Sequence, residues 1–118
     1  MLVTINGQHW DVTTWEGSYD QGRVLFATNT NGGAMPWWGN QSLALDVCLQ
    51  VGVGLGEFPA NDSGGPFFGW APPAPGSPYV IYYNYRLPVD PLTPTYPGQP
   101  LEAPTATPFV WAVAFPVS

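Results

Sequence analysis

The sequence predicts an α+β fold: a small antiparallel sheet packed against one helix, with long ordered Pro/Gly-rich loops around it. Three observations carry this. Hydrophobic residues make up 45% of the 118 positions and charged residues 8%, against about 25% charged in ordinary globular chains. Disordered chains show the opposite balance. The 14 glycines and 15 prolines exceed what packed helices tolerate. One segment, 41–51, combines helical periodicity with a cap. The length suits one domain, so residues 1–118 are read as a single unit.

The first element is a hairpin. In "LVTINGQHWDVTTW", residues 2–15, Asn6-Gly7 between two extended runs reads as a type I′ turn. Pairing across it sets Ile5 opposite Gln8 and Val3 opposite Trp10. Trp10 and Val12 then face one way, and His9, Asp11, Thr13 and Trp15 the other. "RVLFAT", residues 23–28, is apolar and ambiguous between strand and helix. Residues 29–36 read as a loop. Asn40 caps a helix over 41–51, with Leu43, Val47 and Gln50/Val51 as a stripe and Ala44 and Cys48 beside it. Gly52, Gly54 and Gly56 end it.

Residues 57–78 read as a loop with an aromatic knot at Phe67, Phe68 and Trp70. "YVIYYNYRL", residues 79–87, is a strand with Tyr79, Ile81, Tyr83, Tyr85 and Leu87 on one face. Tyr82 and Tyr85 lie on opposite faces, so one face is expected to turn tyrosine outward or onto a partner. "FVWAVAF", residues 109–115, is a strand whose small side, Val110, Ala112 and Ala114, suits close approach of the helix. Pro116 sets its end at a rim or edge. Between these strands lies an ordered proline-rich segment, 88–108. Its prolines at 88, 91, 94, 97 and 100 match the threefold repeat of polyproline II and form one ridge. A connection of about twenty residues is long for a compact domain and must lie against something. Leu92, Tyr96 and Leu101 are its expected anchors.

Charge narrows the function. The formal net charge is -6, lysine is absent, and Arg23 and Arg86 are the two strong cations. A nucleic-acid surface needs several cations to neutralise phosphates, so that class is excluded. Without lysine there is no Schiff-base chemistry and no P-loop. The start of the chain has neither a basic region nor a long apolar run, so no membrane insertion is expected. Cys48 stands alone, which excludes an intrachain disulfide framework.

Catalytic signals are thin. His9 and Asp11 at i, i+2 reach one side of a strand, and Cys48 is a conceivable thiolate partner for a small hydrolase. A lone cysteine on an amphipathic helix is more often a small buried hydrophobe. Glu16, Asp20, Asp46, Glu57 and Asp62 have no spacing that pairs two carboxylates across a sugar. "ANDSGG", residues 60–65, gathers oxygen ligands but lacks the calcium-loop pattern and reads as a turn. No metal or cofactor is expected. Residues 40–42 and 61–63 each match a glycosylation sequon. The notable asset is aromatic: Trp37, Trp38, Phe67, Trp70, Tyr82 and Tyr96, flanked by amides and carboxylates, suit either a sugar ring or a protein interface.

The stretches "WDVTTWEGSYD", "MPWWGNQSLALDVCLQVGVGLGEFPANDSGGPFFGW" and "FVWAVAF" resemble small exported proteins of cyanobacterial type. Those carry a "PWWGN" segment opening a helix, a "GPFF"-like stretch and a final "WAVA"-like strand. The likeness covers residues 10–70 and 109–115. The chain departs from it in showing no leader or sorting tail, and in the added "NTNGGA" and the proline segment. The resemblance implies an extracellular or cell-surface setting and transfers no catalytic residue.

The leading expectation is a non-catalytic structural protein that self-assembles as a homo-oligomer, at a cell surface or in a particle coat. The alternative is a carbohydrate-binding module with glycans as partners. A small hydrolase stands third.

Overall fold

The computed structural model describes residues 1–28, 33–61, 63–72, 76–85 and 100–117. In chain order these form β1 (Leu2–Ile5), β2 (Gln8–Ser18), α1 (Tyr19–Thr28), α2 (Gln41–Val51), a 3-10 turn (Pro59–Asn61), β3 (Phe68–Ala71), β4 (Tyr79–Tyr83), β5 (Leu101–Pro104) and β6 (Pro108–Pro116). The α+β class holds. The single sheet and single helix do not: there are two three-stranded antiparallel sheets, β1-β2-β6 and β3-β4-β5, and two helices.

The hairpin follows its local code. Asn6 and Gly7 have φ of 51° and 80°, the two positive values a type I′ turn requires. Ile5 faces Gln8 and Val3 faces Trp10, as the turn dictates. Beyond Trp15 the strand continues to Ser18, because β6 pairs with β2 along its length, from Trp10 opposite Pro116 to Ser18 opposite Pro108. Antiparallel partners share a face, so Trp15 and Trp111 stand together. Phe26 of α1 meets Trp15 edge-on at 5.3 Å, and Tyr19 meets Trp111 at 5.8 Å. Val3, Val12 and Ala114 on the opposite face are buried as well. The first sheet therefore has core on both sides.

The ambiguous segment 23–28 is the second half of α1. Its start is a capping box: Gln21 N–H donates to Ser18 Oγ (3.2 Å), and Ser18 N–H donates to Gln21 Oε1 (3.0 Å). That reciprocal pair satisfies two orphan donors of the first turn. Helix α2 has the expected bounds. Leu43 N–H donates to Asn40 Oδ1 at 3.0 Å, and Gly52 closes the far end with φ 55°. Its buried residues are Ala44, Val47, Cys48 and Val51. It packs mainly on β3, β1 and β4, not on the small side of β6 as expected. Side-chain size permits a close approach there, but loop length and sheet order decide which strand meets the helix.

The aromatic knot contains β3 rather than being all loop. A parallel bridge from Phe67 to Trp111 ties β3 to the edge of β6. At Gly69 an added Cβ would sit 3.1 Å from both Trp111 and Val80, so glycine lets the strand reach the Trp111 ring. Of the proline-rich segment 88–108, residues 100–108 are described. Leu101–Pro104 is a strand paired with β4, Tyr82 opposite Leu101 and Tyr79 opposite Pro104. The ridge proper, with Leu92 and Tyr96, lies outside the described residues, as do Arg86 and Asp62.

The β6 edge of the first sheet is closed by a side-chain amide acting as a peptide group, and the β1 edge is touched by another at Thr4. On β6, Asn61 Nδ2 donates to Val110 O (2.8 Å) and to Gly65 O (2.9 Å), while Val110 N–H donates to Asn61 Oδ1 (3.0 Å). Phe67 and Ala34 take further β6 groups. On β1, Gln50 exchanges longer contacts with Thr4 N and O, 3.5 and 3.4 Å. The β6 edge, so occupied, offers no template for strand addition.

Candidate functional site

The six aromatic residues singled out by sequence part company in the fold. Trp37, Phe67 and Tyr82 are core. Trp37 packs on Phe68 at 5.1 Å, and Phe67 stacks on Tyr82 at 3.8 Å and stands edge-on to Trp111 at 5.5 Å. Trp70 is half-buried, stacked near Tyr83 at 6.2 Å. Tyr96 lies outside the described residues. Trp38 alone among the described five is exposed, at 39%.

On β4 the expectation of an outward tyrosine is met at Tyr79, which is 42% exposed, and not at the centre of the strand. Tyr82 and Tyr83 point to opposite faces and both are buried. β4 is the middle strand of its sheet. One face meets α2, where Gln41 Nε2 donates to Tyr83 Oη at 2.9 Å. The other meets Phe67 and the β6 aromatics. A strand covered on both faces takes large side chains at consecutive positions.

Trp38 faces outward because a tight turn separates it from Trp37. Trp38 N–H donates to Met35 O (2.9 Å), Asn40 N–H to Trp37 O (3.0 Å), and Gly39 N–H to Trp70 O (2.6 Å). The Trp38 ring stacks on Tyr19, centroids 5.4 Å apart and planes 14° from parallel. Arg23, one helical turn on, sets its guanidinium 5.5 Å from the Tyr19 centroid and binds Asp20 at 2.7 Å. The helix start is pinned by Asp20 N–H donating to Thr105 O (3.0 Å). Burial pushes the Tyr19 hydroxyl above its ordinary range, Arg23 pulls it back, and Asp20 adds to the rise. At neutral pH it is an uncharged donor and acceptor.

Two concavities meet at this stack, both walled by Tyr19, Arg23 and Trp38. One, of about 330 Å³, continues over Phe26, Ala27, Ala34 and Met35. The other, of about 220 Å³, continues over Ser77, Tyr79 and Thr105. Sequence reasoning missed Tyr19, Arg23 and Tyr79 as neighbours of Trp38. The capping box "SYDQ" was the legible signal for α1, and it would have set Tyr19 and Arg23 a turn apart on one helix.

The catalytic candidates do not assemble. Cys48 is fully buried and burial pushes its thiol up to about 12, so it holds its proton at neutral pH and is no thiolate nucleophile. His9 is exposed, in hydrogen-bond contact with Thr4 Oγ1 at 3.2 Å. Asp20 is taken by Arg23, and Asp46 accepts from Gln50 Nε2 at 3.0 Å. Asn61 of the 60–65 turn has both amide atoms committed to backbone, so it is free neither to ligate calcium nor, in the folded chain, to carry a glycan. Asn40 of the other sequon is exposed at the head of α2. Among the described residues, no three of His, Cys, Asp or Glu are grouped to hold a metal ion, and no helix is long and apolar enough to cross a membrane.

No family model, curated protein or solved structure matches the chain. Geometry and chemistry alone carry the functional reading.

Proposed function

We propose that the protein is a non-catalytic binding module that takes ring-shaped ligands of the glycan class on its Trp38 face. The supporting observation is the Trp38–Tyr19 stack, exposed on one side and serving as the shared wall of both concavities. A rigid indole backed by a second ring offers a flat apolar face at little cost in side-chain entropy. Sugar C–H groups fit such a face, while Ser77, Tyr79 and Thr105, which line the same concavity, are residues whose hydroxyls pair with sugar hydroxyls. A cell-surface setting, implied by the resemblance, supplies such ligands. The test is titration with soluble glycans, read by tryptophan fluorescence, on the wild type and Trp38→Ala. Loss of an aromatic anchor should weaken binding at least about tenfold. No binding to any glycan at millimolar concentration ends this reading.

Self-assembly is the second reading. It is favoured by the exposed apolar side chains Leu2, Val24 and Leu49. With the β6 edge closed, assembly there would use side-chain patches rather than strand addition. Light scattering decides it: a strict monomer over a wide concentration range excludes it.

A further inference from the structure

We infer that the ligand of the Trp38 face is an uncharged amphipathic glycoside, with its sugar on the Tyr79 side of Trp38 and an apolar substituent on the Met35 side. The inference rests on the glycan reading and names the chemistry of that same site.

The two concavities differ in kind. On the Tyr79 side the walls beyond the shared stack include three hydroxyl residues, Ser77, Tyr79 and Thr105, beside Pro72, Gly76 and Val80. On the Met35 side they carry hydrocarbon, sulfur and an aromatic ring: Phe26, Ala27, Ala34 and Met35. Phe26 and Met35 are themselves buried, so this wall is braced by the core. Its volume, about 330 Å³, is near the lower end of small-ligand pockets, roughly 300–1,000 Å³. A free sugar placed there would lose water from hydroxyls that find few partners, which costs binding. An alkyl or aryl group placed there loses nothing polar.

Charge sets the remaining property. Arg23 is the one strong cation among the described residues, and Asp20 already neutralises it at 2.7 Å. The chain as a whole carries a formal -6, so an anionic ligand meets net repulsion. A cationic ligand would compete with the Arg23 guanidinium, which already lies at the Tyr19 ring. An uncharged molecule avoids both costs.

The test uses the full chain and pairs of methyl and butyl glycosides of glucose, galactose, mannose and N-acetylglucosamine, titrated by tryptophan fluorescence or calorimetry. Each added methylene buried in the apolar cavity should tighten binding roughly fourfold. With partial burial, a butyl glycoside should still bind at least about tenfold more tightly than its methyl partner. Ala27→Leu narrows the apolar cavity at an exposed helical position that favours leucine, and the butyl-to-methyl ratio should shrink toward one. If methyl and butyl glycosides of the same sugar bind equally, the inference fails while the glycan reading stands. A ratio unchanged in Ala27→Leu places the alkyl group elsewhere and also overturns it. If no glycoside binds, the glycan reading fails and the inference with it.

Discussion

Asn61 and Asn84 are equally buried, each 1% exposed, yet they live in opposite circumstances. Asn61 makes three hydrogen bonds, two of them to the backbone of Val110, and stands in for a missing strand at the β6 edge. Asn84 follows β4, and neither of its amide atoms has a protein partner. Among the described residues, the indole nitrogens of Trp37 and Trp70 share that condition. The difference teaches that burial alone says nothing about what a polar side chain contributes. A satisfied amide in the interior fixes the fold, and an orphaned one weakens it.

The largest expected effect comes from breaking the satisfied member. Asn61→Leu keeps the branching and the number of heavy atoms, and strands the Val110 N–H and the Gly65 carbonyl. Each stranded buried group costs about 1–3 kcal/mol, so the loss should be roughly 3–5 kcal/mol in urea denaturation. A loss under about 1 kcal/mol would mean that water replaces the clamp.

Cys48 extends the comparison to a buried group that can ionise. Its thiol ordinarily titrates near 9 and in the fold near 12. Between those values the unfolded chain has released its proton and the folded chain retains it. Stability is therefore full below pH 9 and falls as pH rises, by about 1.4 kcal/mol per unit. Denaturation at pH 8, 9, 10 and 11 should show the decline set in near pH 9 and approach this slope above pH 10 in the wild type, with a flatter course in Cys48→Ala. Equal slopes would show that water reaches the thiol. Tyr19, also raised, acts in the same direction at higher pH.

The smallest effect, and the one of opposite sign, belongs to Asn84. Asn84→Leu removes an unsatisfied amide and keeps the number of side-chain heavy atoms, with bulkier methyl groups that offset part of the gain. It should leave stability unchanged or raise it by roughly 1–2 kcal/mol. Destabilisation on the scale of Asn61→Leu would show that Asn84 has a partner of consequence, and the contrast between the two would collapse.

Several features were legible in sequence because their codes are local. Asn6-Gly7 dictated the hairpin and its register, since few residues besides these accept two successive positive φ values. Asn40 and Gly52 bounded α2. The capping box of α1 was equally local, but the apolar run after it drew attention away from "SYDQ". The site was less legible. Trp37 and Trp38 are the same residue type at adjacent positions, and the core takes one and leaves the other to solvent. Periodicity separates the faces of a helix or strand, but here the chain is in a turn.

By itself the sequence determined what short-range geometry can enforce: the hairpin, the bounds of α2, and the strand character of 79–83 and 109–115. Tertiary structure decided the partition into two sheets, the use of Leu101–Pro104 as a strand, the burial of Tyr82 and Tyr83 on opposite faces of β4, and the stacking of Trp38 on Tyr19. Those outcomes depend on which distant segments share the core. The pairing of β2 with β6 joins residues at opposite ends of the chain. No local code specifies such a contact, because its free energy is realised only when the rest of the fold has excluded water from both partners.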